Sequence, residues 1–238
     1  MATHLQIAEW LEGEPGPGVI TARELARRRC EEDRPPPLPT AVPELDRLLE
    51  GGLTRGRLVE LVGERSSGRF SLALALLAAA TQAGEAAALV DLGDGLDPAS
   101  AAAAGVELPR LLWLRPRGLR EALAGAEMLV TTGFPLVVIE LGVPPLPGAG
   151  SLRGGSQPAW LRLARAARTH DTALVVCSPY RTSGAAAAEV LAARAEPRYL
   201  GSGASPLLLL GLDTRVCLEK ARGRSAGATE TVCQHLAA

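Results

Sequence analysis

Between Leu58 and Ser71 the chain carries the stretch that most limits how it can fold. An apolar run, Leu58-Val59-Glu60-Leu61-Val62, enters Gly63; a second glycine follows at Gly68, and a long apolar segment starts directly after it. Strand, glycine turn and helix in that order make the outline of a phosphate-binding loop, G-x-x-x-x-G-K-[ST], whose backbone N–H groups form a cradle for anions. Both glycines are present. The two side chains that carry the chemistry are replaced: Arg69 stands at the lysine position and Phe70 at the Ser/Thr position. The candidate loop is therefore Gly63, Glu64, Arg65, Ser66, Ser67, Gly68, Arg69, Phe70 and Ser71.

Those replacements matter physically. A loop lysine is a compact charge on a flexible stem, whereas arginine is a longer, planar fork. The Ser/Thr hydroxyl of such a loop holds Mg²⁺, and Phe70 has none. Ser71 comes one residue late, and one residue turns a helix by about 100°. From the residues alone two readings stand: a turn that only joins strand to helix, which we prefer, and a nucleotide site.

Around the loop, apolar strand candidates alternate with helical segments. Strands are expected at Leu58–Val62, Ala86–Asp91, Leu111–Leu114, Leu136–Glu140, Ala173–Cys177, Leu207–Leu212 and Thr214–Leu218. Helices are expected at Val42–Leu49, Phe70–Ala83, Ala99–Ala104, Leu119–Thr132 and Pro158–His170. Continuous apolar strands separated by helices predict an α/β fold, a mainly parallel sheet with helices on both faces. Gly142–Gln157 and Pro179–Ser205 resist assignment. Both follow strand ends, where such folds place functional loops.

Residues 1–39 differ from the rest. Leu5, Leu11, Ile20 and Leu25 are apolar spots in a segment carrying Arg23, Arg27, Arg28 and Arg29, and Pro35-Pro36-Pro37-Leu38-Pro39 makes a stiff linker. The expected organisation is an N-terminal arm and linker over 1–39 and a core domain over 40–238. Net charge is −1, so no global field draws the chain to nucleic acid or a membrane. Cys30, Cys177, Cys217 and Cys233 lack metal-ligand spacing, and no secretory signal is evident, so reduced thiols in a cytoplasmic protein are expected. The one long apolar run, after Gly68, lies between strands and reads as a core helix. No Ser/His/Asp arrangement appears. Any nucleic-acid contact must rest on local arginines; Arg153, Arg181, Arg194 and Arg198 are the candidates, with Arg162, Arg165 and Arg168 as a neighbouring helix stripe.

The order of motifs resembles the core of RecA-type recombinases. The resemblance runs from Leu38-Pro39-Thr40 through Leu45-Asp46-Arg47-Leu48-Leu49 and Gly51-Gly52-Leu53 to Leu61, and on to about residue 236. The loop Gly63–Ser71 takes the Walker A position, Leu136–Glu140 resembles the Walker B strand, and Ala173–Arg181 resembles the strand leading into the second DNA-binding loop. Departures accompany it. The catalytic glutamate position falls on Gly93, with Asp91 and Asp94 on either side, and Glu140 stands at the Walker B aspartate position. The chain is most similar to the short RecA-like ImuA proteins, formerly called SulA-like. That resemblance implies a non-catalytic accessory in bacterial DNA damage tolerance (translesion synthesis and induced mutagenesis within the SOS response). It implies an adaptor for an ImuB-like polymerase-family partner, with RecA as a second candidate. No cofactor is expected, with ATP binding the less favoured alternative, and any DNA binding is expected to be weak and non-specific. The alternative is a nucleotide-dependent DNA-binding ATPase of the recombinase type.

Overall fold

The apolar runs become one eight-stranded sheet in a computed structural model that describes residues 35–142, 157–200, 208–222 and 225–235. The strands are β1 (Leu58–Val62), β2 (Ala87–Asp91), β3 (Leu111–Leu114), β4 (Leu136–Glu140), β5 (Ala173–Ser178), β6 (Glu189–Leu200), β7 (Leu208–Ala221) and β8 (Thr229–His235). Their order across the sheet is β3-β2-β4-β5-β1-β6-β7-β8. Neighbours from β3 to β6 run parallel; β7 and β8 complete the edge antiparallel. The helices are α1 (Pro43–Leu48), α2 (Arg69–Gln82), α3 (Pro98–Ala103), α4 (Leu119–Thr131) and α5 (Gln157–Thr169).

The parallel strands read as unbroken apolar runs because both their faces are covered. Period-two alternation splits each between two cores. Val59, Leu61, Leu89, Val138 and Val175 face one cluster, with Leu72, Leu76 and Leu77 of α2 and Leu45 and Leu48 of α1. Leu58, Val90, Val137, Ile139 and Val176 face the other, with Ala122, Ala126 and Leu129 of α4 and Trp160, Leu163 and Ala167 of α5. The spacing of those α5 residues lays one helical face on the sheet. Leu38 and Leu53 exchange backbone hydrogen bonds of 2.8 and 2.9 Å. The Thr40 N–H and hydroxyl both donate to Asp46 Oδ1, at 2.9 and 2.8 Å, which fixes the approach to α1.

Two expectations need correction. The two strands expected over 207–212 and 214–218 are one continuous strand, β7, from Leu208 onward, residue 207 lying outside the described residues. The unassigned stretch 179–205 holds β6, which β1 pairs on one side and β7 on the other. Ala192, Ala193 and Ala195 have weak β-propensity, so only the neighbouring strands reveal this one. Residues 1–34, which hold most of the expected arm, lie outside the described residues. Those from Pro36 onward belong to one compact unit. Among the described residues no helix is long and apolar enough to cross a membrane.

Candidate nucleotide loop and arginine surface

The loop keeps the backbone shape the glycines imply. Gly63 N–H donates to Ser178 O at 3.0 Å and so ties the end of β1 to the end of β5. Gly68 has φ 80°, in the left-handed region, and precedes α2. A Cβ there would overlap the Thr214 hydroxyl of β7, so glycine is required both for conformation and for space. A pocket of about 240 Å³ opens beside the loop, lined by Ser66 to Ser71, Gly93, Gly95, Glu140 and Leu212 among others.

The interior of this loop is filled by its own side chain. Arg69 is only 6% exposed. Its Nη1 donates to Gly63 O, and its Nη2 donates to Glu140 Oε1 at 2.6 Å and to Gly142 O at 3.1 Å. Glu140, at the Walker B aspartate position of the resemblance, is 3% exposed and is the partner in this ion pair. Gly142 N–H also donates to Glu140 Oε1, at 3.0 Å. Burial nevertheless pushes the Glu140 carboxyl above its ordinary pKa, outweighing the downward pull of Arg69. The guanidinium reaches across the strand ends because arginine is long enough to span from α2 to the end of β4. Phe70 and Ser71 both face the pocket, the phenyl ring half-buried and the serine exposed.

The carboxylates near Gly93 are all engaged. Asp91, at the end of β2, is 1% exposed and accepts from Gly95 N–H at 3.1 Å, Leu96 N–H at 2.9 Å and Trp113 Nε1–H at 3.2 Å. Asp94 takes a bidentate contact from Arg115, at 2.6 and 2.7 Å, and Arg115 stacks 4.9 Å from the Trp113 ring centre. That contact holds the Asp94 carboxyl below its ordinary pKa. Gly93 itself has no room for a side chain: a Cβ would lie 2.7 Å from Gly142 Cα.

The arginines expected in a long loop fall on different structures. Arg194 and Arg198 are on β6, and Arg181 follows β5 in a short, anchored segment. Glu60, a carboxylate 1% exposed in β1, accepts from the backbone N–H and hydroxyl of both Thr182 and Ser183. Lys220 Nζ donates to Gly184 O and Ala187 O at 3.0 and 2.6 Å and ties down the same segment. Arg181 pairs with Glu219 and Arg198 with Asp213. Arg162 pairs with Glu127 at 3.0 Å. Arg153 lies outside the described residues. A lone glutamate inside the apolar run of β1 is the sequence signal that would have located this anchor.

Three comparisons place the chain among known proteins. The RecA N-terminal domain profile matches residues 38–157. Protein RecA of Kineococcus radiotolerans is 42% identical over 117 residues, 48% of this chain and 34% of that protein. Protein RecA of Rubrobacter xylanophilus is 45% identical over 83 residues, 35% of this chain and 24% of that protein. The matched stretch thus spans about a quarter to a third of these relatives' length. The crystal structure of the RadB recombinase superposes with a TM-score of 0.64 at 23% identity, covering 82% of this chain and 94% of that one, a likeness of fold.

Proposed function

This chain belongs to the RecA N-terminal domain family, and from that premise we propose that it is a non-hydrolysing accessory protein of DNA damage tolerance, an adaptor that docks onto a polymerase-like partner. One observation carries the reading: the Arg69 guanidinium occupies the loop's interior, satisfied by Gly63, Gly142 and Glu140. A nucleotide's phosphates would have to displace that ion pair. They would then meet no hydroxyl at Phe70 to hold Mg²⁺ and no carboxylate at Gly93 to orient water. These residues do not fit a bound ATP. What stays intact is the shape of the fold, which suits a role in protein contact, of the ImuA kind that the motif order suggests.

Nucleotide titration and pull-down test the two halves of the reading. Full-length protein with single-stranded DNA is expected to release no phosphate above a blank and to show no saturable ATP binding. Turnover that Arg69→Ala abolishes would restore the recombinase-type ATPase reading. An ImuB-like protein from the source cell is expected to be retained by the full chain. A version starting at Leu38 then separates arm from core. Failure of a folded full chain to retain that partner would end the adaptor reading.

A further inference from the structure

Most arginines of the core have a carboxylate at hand: Arg47, Arg55, Arg57, Arg69, Arg110, Arg115, Arg162, Arg181 and Arg198 all form ion pairs. Among the described residues Arg65, Arg194 and Arg215 are in the minority that form none. They line one groove of about 630 Å³ that shares Glu64 to Ser67 with the smaller pocket beside Arg69 and runs from there along β6 and β7. Arg194 and Arg215 are directly opposite residues of the β6–β7 pair. Such partners have Cβ atoms about 5 Å apart, and like charges placed so repel. Arg65 joins them from the loop. All three are exposed and reachable. Glu219 lines the same groove but is engaged by Arg181, and Pro179 supplies an apolar wall.

We propose that this groove binds a phosphomonoester group borne on a body of nucleotide size. Three guanidiniums converging on one place suit a compact dianion. A phosphomonoester carries about −1.5 to −2 charge and three acceptor oxygens at pH 7, which three planar forks can share. A single carboxylate offers half the charge and two oxygens. The groove's volume is that of a small-molecule site. Two sources present this chemistry, a free mononucleotide and the 5′ end of a DNA strand. The proposal stands independently of the adaptor reading, since it uses neither the loop interior nor a protein partner.

The test is binding to full-length protein at fixed salt, with four probes: inorganic phosphate, AMP, a 5′-phosphorylated oligonucleotide and the same oligonucleotide with a 5′-hydroxyl. AMP or the 5′-phosphorylated strand, or both, should bind. The double variant Arg194→Ala/Arg215→Ala should lose roughly tenfold or more in affinity, as expected for removed hydrogen bonds to a charged group, with an unchanged melting temperature. Where the phosphorylated strand binds, its 5′-hydroxyl twin should bind at least tenfold more weakly. Which of the two probes binds identifies the source. Equal, measurable affinity for the two strands with AMP unbound would assign binding to backbone charge and overturn the proposal. Binding of inorganic phosphate alone (an adventitious ion only), binding of no probe, or undiminished binding by the double variant would overturn it as well.

Discussion

Replacing Arg69 by methionine tests the buried pair at the centre of the loop. The substitution keeps an unbranched apolar stem and deletes the cation. Glu140, only 3% exposed, is then left with the Gly142 N–H as its hydrogen-bond donor. The Gly63 and Gly142 carbonyls also lose a donor. Removing one partner of a buried ion pair costs about 3–5 kcal/mol, so a deficit of about 4 kcal/mol is expected near pH 8. In a chain of this length that is a fall of roughly 8–16 °C in melting temperature. The sign of the pH dependence follows from Glu140. Burial already raises its folded-state pKa above the ordinary value, and losing Arg69 raises it further. A raised carboxyl pKa favours the protonated fold, so that contribution is present at acid pH and lost as pH rises through the folded value. The Arg69→Met deficit therefore shrinks toward about pH 5 and grows toward about pH 8. Glu140→Leu strands a guanidinium that keeps its proton, so that variant has no acid recovery at this position. The double variant Arg69→Met/Glu140→Leu should recover most of either single loss, since an apolar pair often matches a buried ion pair. Urea unfolding followed by circular dichroism at several pH values measures all three. A deficit under about 1 kcal/mol for Arg69→Met at pH 8, or one that does not change with pH, would refute the reasoning.

Two further expectations concern the arginines and the loop glycine. Counting Arg181, Arg194 and Arg198 as three phosphate contacts would predict a fall of about 2 in the log–log salt slope for single-stranded DNA when all become alanine. Because Arg181 and Arg198 are already paired with Glu219 and Asp213, the expected fall is nearer 0.7; a full loss of 2 in a filter-binding or fluorescence titration would contradict that. Gly68→Ala should destabilise by about 2–5 kcal/mol, from the left-handed φ of 80° together with overlap at Thr214. Gly84→Ala is the control: its φ is 87° but nothing lies within 4 Å of the added Cβ, so about 1–2 kcal/mol is expected. Equal losses in chemical denaturation would remove the packing argument at Gly68.

Much of the fold was legible because parallel strands covered on both faces must be apolar along their length. Leu58–Val62, Leu136–Glu140 and Ala173–Ser178 declare themselves that way, and the helices between them come within a residue or two of expectation. The glycines at 63 and 68 likewise announced a strand-to-helix turn, since glycine takes the left-handed backbone at Gly68 without steric cost. β6 was not legible: its alanines carry no periodic signal, and its strand conformation comes from pairing with β1 and β7.

The sequence by itself determined that Arg69 and Phe70 replace the side chains a phosphate loop uses, and that Gly93 holds no carboxylate. Those are statements of identity at a position, and the chain order carries them. Where each replacement goes was decided by tertiary structure alone. Arg69 and Glu140 are 71 residues apart in sequence, yet β1 and β4 flank β5 and bring their ends together, so the guanidinium meets the carboxylate at 2.6 Å. The pairing of β2 with β4 sets Gly93 against Gly142 and leaves a Cβ no space. Arg194 and Arg215 became opposed neighbours only through the register of an antiparallel pair. Periodicity reports which way a side chain faces its own element; the charge or wall it meets belongs to a distant strand, and only the folded sheet brings that strand beside it.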